Sequence, residues 1–424
     1  MNINVHFRIF VYMTLLRDTG KVIRSWTDRA ALAALAAAGN PLAGVLRDPA
    51  GEHAVYAKLR ARGPVHRPML GPPLVLSHRV CGEVLRDNRF GLRRADGGSA
   101  NGENFFSDTF IEQDPPDHTR LRRLAAPAFR PKLLRDYRDR IEKITRELLH
   151  TAVAKGEFDL VTDFASPLPI AVISDLLGIP DEHAGRFARY GVVVARSLNG
   201  VRTLAQQREL DAAVADLGEL FADLMRQRQA DPRDDVISLL ATAQAQDKLS
   251  AGEVVTTCRL LLIAGFETTV NLIGTAAKLL TDHPEQWALL KQDPDLAPRA
   301  VEEVLRYSPP VPIGARISQQ PAELDGEPVQ PQTLVVLLFA AANRDPGRYA
   351  EPDRFLLTRS RDEPEHLSFS QGIHYCLGAP LSRVEGDVAL RAMAELTPGL
   401  RVTGEPVTRP SSVIRGLLHL PVAV

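Results

Sequence analysis

The segment from Ser250 to Asp282 constrains this chain more than any other. Apolar residues recur along it at helical spacing. Ser250, followed three residues later by Glu253, forms a capping-box pair at its start. His283-Pro284 closes it, because the residue before a proline disfavours the helical region. At ~1.5 Å per residue such a helix is roughly 50 Å long. It needs a membrane or a large core to hide it. Arg259 and Glu267 sit mid-segment, where charges in a bilayer are expensive. The segment therefore predicts a buried helix that crosses a whole globular protein.

The remaining chain can supply that core. Of 424 residues, 45% are hydrophobic and 24% charged, an ordinary globular balance. A net charge of −1 argues against a nucleic-acid or anionic-membrane binder, whose footprint is basic. Three cysteines, Cys81, Cys258 and Cys376, are too few and too odd for a disulfide framework, so a cytoplasmic setting is expected. Cys81 and Cys258 read as small buried hydrophobes. Phe7 to Leu16 is apolar but interrupted by Arg8, and too short to span a bilayer. No cleavage site follows a clean apolar stretch, which argues against a signal peptide. Residues 1–24 are expected to be a poorly ordered extension, with Met13 an alternative start, and residues 25–424 one domain. Ala95 to Asn104 reads as a long internal loop. Helical spacing also marks Glu52 to Arg62, Asp117 to Ala126, Leu133 to Lys155, Leu204 to Arg228 and Asp295 to Tyr307. Strand signals are confined mainly to Leu74–Leu76 and Thr333–Phe339. The expected class is mainly α with small β-sheets.

Chemistry concentrates in Phe369-Ser-Gln-Gly-Ile-His-Tyr-Cys-Leu-Gly378, followed by a helical pattern from Ala379 to Leu396. Cys376 thus sits in a turn at a helix start, where free N–H groups and the helix dipole favour a thiolate. Gly372 and Gly378 permit tight turning and the close approach of a flat ligand. Phe369 can shield the sulfur from water. Taken alone, Cys376 could equally be a core cysteine near a helix cap. A zinc site is the other chemical option, with only His374 as a neighbouring ligand.

The ten-residue pattern closely resembles the cysteine-ligand loop of the cytochrome P-450 family, the haem-thiolate monooxygenases. Ser370 stands where that family usually has glycine. The resemblance runs from about Leu42 to Leu420 and brings further motifs in order. Ala264-Gly265-Phe266-Glu267-Thr268-Thr269 looks like the oxygen-activation motif. Gly265 costs a mid-helix position about 1 kcal/mol relative to alanine, and Thr268 can bond back to the carbonyl of Ala264, opening a groove. A hydroxyl beside a carboxylate can relay protons, which gives Thr268 and Glu267 the catalytic role. Glu303 and Arg306 share a helix face. The resemblance adds Arg354 to them as a third, structural member. Asp114 to Arg123 resembles the helix that grips haem, with His118 and Arg122 on one face. By position, Arg316 and His374 complete a set of propionate partners.

The resemblance implies a fold with the long central helix over the haem, and haem b held by Cys376 as the metal ligand, with O2 as co-substrate. Ala264, Gly265, Phe369 and Gly378 would border the cofactor. Electrons would come from a separate ferredoxin and an NAD(P)H-dependent ferredoxin reductase, with no membrane anchor and no nucleic acid involved. Arg120, Arg123, Arg130 and Lys132, off the propionate face, are expected to dock that donor. Phe105, Phe106, Leu260, Val311, Ile313 and Ile414 are the substrate-pocket candidates. They imply a small, largely apolar substrate, of the kind met in secondary metabolism, that is hydroxylated or epoxidised. A peroxide-using or non-oxygenating haem-thiolate enzyme, and a non-catalytic haem-binding sensor, are the alternatives. The Glu267-Thr268 pair argues against both.

Overall fold

The computed structural model describes residues 30–48, 51–101, 109–197, 203–246, 248–409, 411 and 414–424. The expected extension over residues 1–24, and Phe105 and Phe106, lie outside them. A helix over residues 30–37 leads into α1 (Pro41–Arg47), α2 (Glu52–Arg60), β1 (Val65–His66), β2 (Leu74–Val75), α3 (His78–Arg86) and β3 (Phe90–Gly91). Then follow α4 (Asp117–Ala125), α5 (Pro131–Val153), β4 (Glu157–Asp159), α6 (Pro167–Leu177), α7 (Asp181–Ser197), α8 (Leu204–Ala230) and α9 (Val236–Ala245). The long helix α10 (Ala251–Asp282) is followed by α11 (Pro284–Gln292), α12 (Ala297–Tyr307), β5 (Ile313–Ser318), β6 (Ala322–Leu324), β7 (Glu327–Val329), β8 (Leu334–Leu338) and α13 (Phe339–Ala342). The chain ends with α14 (Ala379–Leu396), β9 (Arg401–Val402), β10 (Val407–Thr408), β11 (Leu417–His419) and β12 (Pro421–Ala423). The class is mainly α with small sheets, as the patterning predicts.

Helix α10 begins and ends where its local signals place it. The Ser250 side chain accepts from the N–H of Glu253 at 3.2 Å, and the Glu253 carboxylate accepts from the N–H of Ser250 at 2.8 Å. Both halves of the capping box therefore form. The helix stops at His283, and Pro284 starts the next one from its first turn, where its missing N–H is not needed. By length and composition α10 could cross a membrane, yet 78% of its apolar window is buried inside the protein. It packs on α6, α12 and α14. Leu262, Ile263 and Ala277 are fully enclosed there, and full burial of one Leu or Ile contributes about 1.5–3 kcal/mol. Cys258 lies in the same core, and Cys81 under the sheet, both without exposure.

The main sheet has the order β1-β2-β8-β5-β3, with β2 and β8 parallel and the other neighbours antiparallel. Its register sets Ile313 opposite Leu338 and Arg316 opposite Val335. Arg316 therefore projects from a sheet whose other contents are mostly apolar. The C-terminal hairpin β10–β11 lies against α10.

Candidate active site

The Cys376 loop is built by its own backbone. Ser370 N–H donates to the carbonyl of Leu367 at 2.9 Å, Tyr375 N–H to that of Gly372 at 3.1 Å, and Cys376 N–H to that of Phe369 at 2.8 Å. Gly372 has φ +68°, and a Cβ there would overlap the carbonyl oxygen of Leu85 in α3. Glycine is thus required twice over at that position. Ser370 also has a left-handed φ, 61°, so the residue that departs from the family pattern occupies a conformation that suits glycine. Its hydroxyl is buried without a hydrogen-bond partner. Gly378 caps α14, where a Cβ would reach only Phe129 at 4.0 Å. Phe369 is buried beneath the guanidinium of Arg383, 4.7 Å from its ring centre.

Burial pushes the Cys376 thiol up. The N–H groups of Gly378 and Ala379 and the charges of Arg122 and Arg383 oppose that shift without overcoming it. The helix-start N–H groups thus act in the expected direction. A metal cation bound to the sulfur would favour the thiolate further. Among the described residues no group of three His, Cys, Asp or Glu side chains could hold a metal ion. A zinc site lacks its ligand set, whereas a metal carried by a planar cofactor needs only the one sulfur.

In α10, the Thr268 hydroxyl donates to the carbonyl of Ala264 at 2.7 Å, as its spacing predicts. A Cβ on Gly265 would meet nothing within 4 Å, so the groove is open. Ala264 and Cys376 are both half-buried side chains bordering the main core. Glu267 is buried, which raises its pKa, and the Arg409 charge partly counters this. Arg409 Nη2 lies 2.8 Å from Glu267 Oε2, close but not aligned as a hydrogen bond, so Oε2 and Arg409 Nε have no hydrogen-bond partner. Two residues on, the Thr269 side chain bonds Glu385 of α14, whose carboxyl is pushed up to about 8 by burial.

Two arginines and two neutral imidazoles gather near the loop. His118 is buried with both ring nitrogens unpartnered, His374 Nε2 is likewise unpartnered, and the two rings are 4.2 Å apart. Arg122 Nη2 donates to the carbonyl of Tyr375 at 2.5 Å. Arg316 Nη1 donates to its neighbour Ala315 at 2.8 Å. Burial pushes its pKa down to about 10, against the pull of Asp114 and Glu112. His374 is pushed down to about 2 by burial, then by Arg316, His118 and Arg122. Buried polar groups are rarely left unsatisfied. Two carboxylates would satisfy these, and haem propionates supply two.

Beneath the loop, Glu303 accepts from Arg306 at 2.7 and 2.8 Å, from Arg359 Nε at 2.9 Å and from the N–H of Leu356 at 2.9 Å. The third member of the network is Arg359, not Arg354. The Arg354 side chain is 62% exposed and pairs with Glu351, and only its carbonyl joins the network, accepting from Arg306 at 3.0 Å. The physical reason is the tight turn at Glu351, φ 44°, which leaves Arg354 beside Glu351 at the surface while the chain returns with Arg359. Arg306 also donates to the carbonyl of Asn343, whose side chain donates to Ser368, so the network reaches the residue before Phe369.

Four of the pocket candidates lie within the described residues. Leu260 belongs to the main core, whereas Ile313 packs on a separate cluster with Leu338 and Tyr56. Ile414 is buried and Val311 half-buried. On the basic face, Arg120 is already held by Glu253 at 2.5 Å and Asp117 at 3.2 Å. Arg123 and Arg130 are exposed, and the Lys132 side chain lies outside the described residues. Sequence reasoning missed Arg359, Arg383, Glu385 and Arg409. All four act across long sequence separations that periodicity does not register.

A cysteine in a turn at a helix start, close to two arginines and two unpartnered imidazoles that carboxylates would satisfy, defines the haem-thiolate class of site. The chain belongs to the cytochrome P450 family, whose model matches residues 73–395. It is 39% identical over 324 residues to 6-deoxyerythronolide B hydroxylase of Saccharopolyspora erythraea, covering 75% of this chain and 78% of the relative. It is 37% identical over 387 residues to nocardicin C N-oxygenase of Nocardia uniformis, covering 87% and 95%. Its fold matches P450BioI, solved with an acyl carrier protein bearing hexadec-9Z-enoic acid, at TM-score 0.79 and 33% identity over 90% of this chain and 99% of that one. The chain is thus an oxygenase that uses haem, a cysteine thiolate and O2.

Proposed function

We propose that this enzyme inserts one atom of O2 into a small, largely apolar molecule by hydroxylation or epoxidation, with Cys376 as the axial ligand of haem b. The observation that carries this reading is the set of open hydrogen-bond positions on His118 and His374 beside Arg122 and Arg316. Those four side chains would hold the propionates. The Gly265 groove leaves room for a flat group. When bound, the haem supplies the electron transfer and O2 chemistry, and the protein supplies orientation and electrostatics.

The chain's own residues have defined tasks in this reading. Phe369 keeps water from the sulfur, and Arg383 holds Phe369 in place. Thr268 and Glu267 deliver protons. Glu303, Arg306 and Arg359 fix the loop from below. A ferredoxin and its NAD(P)H-dependent reductase supply electrons in the cytoplasm, docking over exposed Arg123 and Arg130. Product analysis over an apolar compound library tests this, using surrogate ferredoxin, reductase and NADPH against peroxide alone. Oxygenated product dependent on NADPH is expected. Turnover with peroxide alone, at equal rate in a Thr268→Ala variant, would overturn the oxygenase assignment of these residues.

A further inference from the structure

Helix α14 carries a charge that the propionate set does not use. Arg383 Nε and Nη2 donate to the two carboxylate oxygens of Glu302 in α12, at 2.7 and 3.0 Å. Nη2 also donates to Glu365 at 2.8 Å, and Nη1 to the Tyr375 hydroxyl at 2.9 Å. These bonds fix the guanidinium with its centre 4.7 Å from the centre of the Phe369 ring. A planar fork that bonds a carboxylate twice and also stacks on an aromatic face is a task for arginine and not for lysine. The buried His366 ring stands 5.6 Å from Phe369 as well, with its Nε2 3.3 Å from Glu302. The Phe369 carbonyl accepts from Cys376 N–H at 2.8 Å. Guanidinium, ring and sulfur are thus linked through one short stretch of chain.

We infer that the Arg383–Glu302 pair sets the reduction potential of the bound haem: Arg383 raises it through Phe369 and the loop, and Glu302 offsets part of that charge. This rests on the reading of Cys376 as the thiolate ligand. The step concerned is the first reduction, in which one electron from the ferredoxin converts Fe(III) to Fe(II). It adds one negative charge beside the sulfur, so a nearby cation favours its product and a nearby carboxylate opposes it. Three features support the inference. The Arg383 charge reaches the sulfur, acting on Cys376 in the same direction as Arg122. The Glu302 and Glu365 side chains are 41% and 50% exposed, against 30% for Arg383, so solvent screens the carboxylates more than the guanidinium on the ring. Desolvation pushes the Glu302 carboxyl up, but the bonds from His366 and Arg383 outweigh it and bring it down to about 2. Both members are therefore charged at neutral pH. Neutralising one or the other changes the charge beside the loop by one unit, in opposite directions.

The test is a spectroelectrochemical titration of the haem-loaded wild type and of Arg383→Met, Arg383→Lys and Glu302→Gln, with no substrate present. At a fixed applied potential Arg383→Met should lower the ratio of Fe(II) to Fe(III) about tenfold, a midpoint shift of about 59 mV for one electron. Arg383→Lys keeps the charge and should lie between Arg383→Met and the wild type. Glu302→Gln should raise the ratio, by a smaller factor. A purely structural role would loosen the loop in either variant and move both midpoints the same way. Shifts of one sign in Arg383→Met and Glu302→Gln, or no shift in either, would overturn the inference. If Arg383→Met takes up no haem, Glu302→Gln decides alone, and an unchanged or lowered midpoint there overturns the inference equally. The carbon monoxide difference spectrum of the same samples separates the two readings. A wild type without the red-shifted Soret band overturns the thiolate reading and this inference with it, whereas the band with unmoved midpoints overturns the inference alone.

Discussion

Replacing Arg359 by alanine should destabilise this protein far more than replacing Arg354. Arg359 Nε bonds buried Glu303 at 2.9 Å, and its Nη atoms bond Glu363 at 3.1 Å and the carbonyls of Ala350 and Arg354 at 2.6 and 2.9 Å. Its side chain is 11% exposed and that of Glu303 3%. Breaking a buried ion pair costs about 3–5 kcal/mol, because a charge is left uncompensated. Arg306 still pairs with Glu303 through two bonds, so the lower end applies, about 3 kcal/mol. Arg354 pairs with Glu351 at 62% and 57% exposure. Solvent screening limits such a pair to about 0–1 kcal/mol, and its carbonyl contribution survives the substitution. Guanidinium unfolding of the haem-loaded variants, followed by far-ultraviolet circular dichroism, measures the two. Equal losses, or a larger loss in Arg354→Ala, would refute the assignment of Arg359 to the buried network.

Gly372→Ala should abolish haem loading, because its Cβ meets the Leu85 carbonyl; the haem absorbance of the purified variant reads this. Ser370→Gly should stabilise by about 0.5–1 kcal/mol while keeping the cofactor spectrum, since a left-handed φ strains a side chain. Glu385 has its carboxyl raised from 4.5 to about 8 by burial. Its contribution to stability is complete below pH 4.5 and is lost as pH rises through about 8. Glu385→Gln should therefore unfold with a flatter pH dependence across that window, which calorimetry at several pH values reads directly. Charge reversal at exposed Arg123 should slow first-electron transfer from a ferredoxin and weaken its salt dependence in stopped-flow traces. An unchanged salt slope would remove Arg123 from the docking face.

What the sequence made legible was local or motif-borne. The bounds of α10 followed from a capping box and a proline, both read within four residues of each end. The strain at Ser370 was visible as a departure from a glycine position. The Thr268 back-bond needs only helical spacing. The failures have a common physical origin in irregular chain and long-range packing. Arg359 lies beyond a left-handed turn, where no periodicity says which arginine faces inward. Glu385 reads as an ordinary helical glutamate until α14 packs and removes its water. Arg409 reaches Glu267 only because the hairpin folds onto α10. The burial that raises the Cys376 thiol is a tertiary property that the helix-start position does not reveal.

Every role assigned around the haem depends on Cys376 ligating its iron as a thiolate. The carbon monoxide difference spectrum of the reduced, haem-loaded protein tests that ligation without needing a substrate. A thiolate ligand predicts the strongly red-shifted Soret band, lost in a Cys376→His variant that still binds haem. A folded, haem-loaded wild-type protein without that red shift would contradict it.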